Sequence, residues 1–81
     1  MTRLPRDVSA TKLVKRLAQL GYQTTRQTGS HIRLYSDRRG GHRISVPRHK
    51  SLRVGTLHEI LSRIAKHFDI RIDDLLEQLH L

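Results

Sequence analysis

Apolar residues recur at two different periods along this chain. Leu13, Val14, Leu17 and Leu20 follow helical spacing with Lys12, Lys15, Arg16 and Gln19 on the other side, which predicts a first helix. Ser9 stands where an N-cap belongs, Val8 and Leu13 take the two positions of a hydrophobic staple, and Gly21 supplies a left-handed residue to end the helix. The period then shortens to two. Residues 22–27 and 30–36 read as strands, and alternation in the second sets His31 and Arg33 on the face opposite Ile32 and Leu34. A two-residue turn at Thr28-Gly29 would pair Arg26 with His31 and turn Gln23 and Thr25 inward. A three-residue loop, Gln27-Thr28-Gly29 with Gly29 left-handed, brings Tyr22 and Thr24 inward instead and sets Thr25 beside His31; this is the expected register.

A polar, glycine-rich turn at residues 37–41 leads to a third strand, residues 42–47, with Ile44 and Val46 inward, Arg43 and Ser45 outward, and Pro47 ending it. A basic loop, residues 48–55, runs into Thr56 and Glu59 at capping-box spacing, where a second helix should begin. Its buried stripe is Leu57, Ile60, Leu61, Ile64 and Phe68, and Leu75, Leu76 and Leu79 mark a last helix of about two turns. The pattern predicts one α+β domain over residues 1–81, α-β-β-β-α-α, with an antiparallel three-stranded sheet covered on one face by helices.

Composition narrows what such a domain can hold. A chain of 81 residues buries only about 60 to 65% of its unfolded surface, and one Phe, two Tyr and no Trp leave a thin core of Leu, Ile and Val. A surface groove is therefore expected rather than an enclosed small-molecule pocket. Without Cys there is neither a disulfide nor a thiolate zinc site, and His31, His42 and His49 match no closed metal-site spacing. His58 and His80 read as surface residues, and His67 sits near a helix C-terminus, where a cation is favoured. Neither a signal peptide nor a membrane span is evident, so a soluble, cytoplasmic protein is expected.

Charge is more telling. The net +9 divides into 13 Lys or Arg against Asp7 and Asp37 in residues 1–53, a balance of +11, and three bases against five acids afterwards, −2. Arg outnumbers Lys 12 to 4, and guanidinium groups suit bidentate phosphate contact. A polyanion partner follows, with nucleic acid the first candidate and no membrane role. Candidate phosphate contacts are Arg26, Arg33 and Arg43 around the sheet, and Arg48, His49, Lys50 and Arg53 in the basic loop before the second helix.

His31 is the candidate for chemistry. Cleaving RNA by acid-base catalysis needs a group that takes a proton from the 2′-hydroxyl or gives one to the leaving oxygen, and histidine titrates in the right range. The other reading is an exposed strand residue that only hydrogen-bonds a phosphate. Ser30 and His31, as strand neighbours on opposite faces, are poor geometry for a serine hydrolase. Gly29 and Ser30 form the turn that presents His31.

Gly29-Ser30-His31 after a helix and strand, Ile44-Ser45-Val46-Pro47-Arg48-His49, and Gly55-Thr56-Leu57 opening a helix with Ile60-Leu61 together resemble the HicA (YcfA-type) toxins over residues 8–77. The resemblance implies a fold like a double-stranded-RNA-binding domain and ribosome-independent mRNA cleavage without a metal or cofactor. It also implies a catalytic histidine at His31 and a HicB-type antitoxin covering the basic face. At residues 67–70 the chain departs from the family's glycine-containing break. Two alternatives stand beside this: a non-catalytic RNA-binding module, and a small subunit whose basic face docks an acidic protein.

Overall fold

The computed structural model describes residues 4–81. Helix α1 (Ala10–Leu17) tightens into a 3₁₀ turn at Ala18–Leu20, and strands β1 (Gln23–Gln27), β2 (His31–Ser36) and β3 (His42–Pro47) follow. Helices α2 (Val54–Phe68) and α3 (Ile72–Leu79) complete the α-β-β-β-α-α order. The strands form one antiparallel sheet in the order β1-β2-β3. Ile32, Leu34, Ile44 and Val46 project from one face into a single cluster with Leu13, Leu17, Leu57, Leu61, Ile64, Leu75 and Leu79.

Local signals hold at the first helix. The Ser9 hydroxyl accepts from the Lys12 N–H at 3.0 Å, Val8 and Leu13 are buried together, and Gly21 is left-handed at φ 85°. At the other end of the chain, Asp69 breaks the helical run. It takes a left-handed conformation, φ 54°, without glycine, and α3 then buries Leu75 and Leu79 in the core. Arg16 donates to the Leu79 and His80 carbonyls, tying the end of α3 to α1.

Three expectations are corrected. The hairpin pairs Gln27 with Ile32 and Arg26 with Arg33 near the turn, then Thr24 with Leu34 beyond a bulge at Thr25, so Thr25 does not stand beside His31. Gly29 is not left-handed, because the Thr28 side chain closes the loop: its hydroxyl accepts from the His31 N–H at 3.0 Å. The Thr28 N–H donates to the His31 carbonyl at 2.9 Å. The expected register rested on turning β1 residues inward, yet all five are exposed. Tyr22 is buried, but it lies just before the strand. An edge strand without apolar residues leaves the hydrophobic pattern nothing with which to fix its register.

The second correction concerns α2, which begins at Val54 with Arg53 as its N-cap and no side-chain cap, so Thr56 and Glu59 form no capping box. Leu52 is buried and its N–H donates to the Val8 carbonyl at 2.8 Å, which pins the chain early enough for the helix to start two residues sooner. The third concerns Phe68. It is only partly buried, against the edge of the core rather than within it.

Candidate active site

His31 opens β2, paired with Pro47 at the end of β3, and its ring is exposed. Two features hold the loop before it. Arg48 donates from its backbone N–H to the Ser30 carbonyl at 2.9 Å and from its guanidinium to the Thr28 carbonyl at 3.2 Å. Ser30 lies outside β2, so strand alternation does not govern it; its hydroxyl meets His31 Nδ1 at 2.9 Å, correcting the expectation that the two side chains diverge. With Nδ1 engaged by Ser30, Nε2 is the nitrogen left for a substrate.

Helix α2 runs back along β3, with His67 against His42 at one end and Thr56 near Pro47 at the other. An open cleft of about 170 Å³ lies along this line, and His31, Ser45, Thr56, Glu59 and Arg63 line it. Arg63 donates to the Glu59 carboxylate at 2.8 Å, one helical turn away. A wider basin adjoins the cleft through Ser45, Ile44 and Arg63, and Arg26, Arg33 and Arg43 line it. Arg43 also sits over the Tyr35 ring, 5.7 Å from its centre. Arg48, His49 and Lys50 border a third depression with Ser9, Thr11 and Gln27.

The candidate residues thus fall into three neighbouring groups. His31 shares its cleft with Glu59 and Arg63 rather than with Arg33 and Arg43, which line the adjoining basin. Arg48 holds the loop as well as bordering the third depression, and the His49 carbonyl accepts from the Ala10 N–H. Arg53 is exposed at the N-cap of α2.

Sequence reading missed Glu59 and Arg63 as cleft residues, because only the return path of α2 brings them to His31. It also missed a cluster at the far end of β3 and α2. The Tyr22 hydroxyl and His42 Nδ1 lie 2.6 Å apart, the His42 and His67 rings stack at 4.5 Å, and His67 Nε2 donates to the Arg38 carbonyl. Burial pushes the Tyr22 phenol up to about 12. Burial, then the charges of His67 and Arg63, lowers the His42 imidazole below its ordinary value.

Among the described residues, no three His, Cys, Asp or Glu side chains gather as a metal-ligand set, and no helix is long and apolar enough to cross a membrane. No curated protein and no solved structure gives a significant match to this chain. A family model described as the HicA toxin of bacterial toxin-antitoxin systems matches residues 10–67, which run from the first residue of α1 through nearly all of α2 and include His31 with its cleft. The match covers well over half of the chain, and the chain therefore belongs to the HicA toxin family.

Proposed function

We propose that this toxin is an mRNA endonuclease in which His31 transfers a proton during cleavage of the RNA backbone. The observation that carries the reading is an exposed histidine, with Nδ1 held by Ser30, on a cleft that opens into an arginine-lined basin. RNA carries its own nucleophile, the 2′-hydroxyl. Attack on the adjacent phosphorus needs proton transfer and stabilisation of the charge on the phosphoryl oxygens, but no metal. Arg26, Arg33 and Arg43 grip the backbone in the basin, while Lys50, His49, Arg48 and Arg53 extend the basic track toward α2. Gly29 and Ser30 present the histidine.

Base specificity is low in this reading. Tyr22 is buried and Tyr35 lies beneath Arg43, so stacking platforms for bases are few. In the cytoplasm such a nuclease must be silenced, and a HicB-type antitoxin with acidic residues facing the basin would do so.

The test is purified protein with a defined RNA in the presence of EDTA, followed by mapping of the product ends. Cleavage to 2′,3′-cyclic phosphate and 5′-hydroxyl ends is expected, slowed roughly 100-fold or more in His31→Ala. Equal cleavage by wild type and His31→Ala would remove His31 from the chemistry. Salt-sensitive binding without any cleavage would put a non-catalytic RNA-binding module in place of the nuclease.

A further inference from the structure

Proton transfer to and from RNA takes two groups, and the cleft at His31 supplies a second one. We propose that Glu59 is the general base that takes the 2′-hydroxyl proton, leaving His31 as the general acid; the assignment rests on the nuclease reading above.

Among the described residues, Glu59 is the one carboxylate that lines the His31 cleft. Its side chain is 66% exposed, so a substrate can reach it, and Arg63 holds it at 2.8 Å across a turn of α2. Folding and binding ask little of a carboxylate here. An exposed ion pair of this spacing adds little to the stability of a helix. No capping box forms with Thr56. On a surface whose remaining charges attract phosphate, a carboxylate repels it.

Chemistry does account for it. A carboxylate can accept a proton, and an imidazolium can give one. In the step itself the Glu59 carboxylate takes the proton from the 2′-oxygen as that oxygen bonds to phosphorus. The bond from phosphorus to the 5′-oxygen breaks, and that oxygen receives its proton from His31 Nε2. The products are a 2′,3′-cyclic phosphate and a 5′-hydroxyl, and exchange with water returns Glu59 and His31 to their starting forms. Arg63, which lines both the cleft and the arginine basin, stands where the phosphoryl oxygens gain charge.

Two substrates separate the two roles: an RNA oligonucleotide, and the same oligonucleotide with sulfur replacing the 5′-bridging oxygen at the cleaved bond. A thiolate leaves without a proton, so it replaces a missing general acid but not a missing general base. Glu59→Gln should lower kcat on the oxygen substrate roughly 100-fold or more, with RNA affinity unchanged or improved. On the sulfur substrate His31→Ala should regain most of the wild-type rate and Glu59→Gln should not. Glu59→Gln within twofold of wild type, or its rescue by sulfur, overturns the assignment while leaving the nuclease reading intact. A wild-type protein that leaves both substrates whole overturns both.

Discussion

Gly21 and Gly29 stand in comparable places, each just before a strand, yet their backbones demand different things. Gly21 is left-handed at φ 85°, and a methyl group there would lie 2.9 Å from Arg38 Nε and 3.0 Å from the Ser36 hydroxyl. That hydroxyl cannot retreat easily, because Ser36 is fully buried and donates to the Leu20 carbonyl at 2.8 Å. Gly21→Ala should cost about 1 to 3 kcal/mol from the left-handed backbone and the crowding together. Gly29 is not left-handed, and nothing lies within 4 Å of where its Cβ would be. Gly29→Ala should be neutral, or stabilise by up to about 1 kcal/mol by restricting the unfolded chain. Urea denaturation midpoints of the two variants check the contrast, and a large loss in Gly29→Ala would show that the loop before His31 needs glycine after all.

At the scale of elements, the junction of α2 and α3 supplies the next prediction. Asp69 holds a left-handed conformation that an L side chain adopts at a cost, and its N–H closes the end of α2 on the Lys66 and Ala65 carbonyls. Glycine adopts that conformation freely. Asp69→Gly should therefore raise stability by about 0.5 to 1 kcal/mol, a rise in Tm of roughly 2 to 8 °C for a domain this small. An unchanged or lower Tm would mean that the Asp69 side chain contributes more than its strain costs.

The same scale separates what the sequence revealed from what it did not. The Ser9 cap, β3 with its inward Ile44 and Val46, and the stripe of α2 from Leu57 to Ile64 were legible because each depends on residues a few positions apart. The register of β1 was not, since Gln23, Thr24, Thr25, Arg26 and Gln27 offer no apolar residue to orient and the Thr28 side chain closes the turn. The start of α2 was misplaced because the bond from Leu52 to Val8 that sets it spans the whole sheet. At the candidate site, His31 stands out by its motif, whereas Glu59 and Arg63 join its cleft only through the path of α2 beside β3.

For the molecule as a whole, the cluster of Tyr22, His42 and His67 couples stability to pH. It joins the residue before β1, the start of β3 and the end of α2, and His67 ties it to the turn at Arg38. Protonating His42 in place would put a charge in a partly buried position, beside His67 and near Arg63, so burial first and those charges second hold its pKa below the ordinary value near 6.5. The unfolded chain then binds this proton more readily than the folded one. The stability contributed is complete above the unfolded pKa and is lost as pH falls from about 6.5 through the lower folded value. Tyr22 works at the other end of the scale: with its phenol raised to about 12 by burial, its contribution is complete below about 10 and is lost as pH rises through the folded value. Of these two groups, only the histidine matters near neutral pH. The urea midpoint should be level from pH 8 to about 7 and decline toward pH 5.5, with a shallower decline in His42→Gln even though that variant is less stable at pH 8. The difference in slope is the diagnostic quantity, because a chain of net +9 with six histidines repels itself increasingly in acid whatever His42 does. Equal slopes in the two proteins would assign the acid sensitivity to that general repulsion and not to the partly buried cluster.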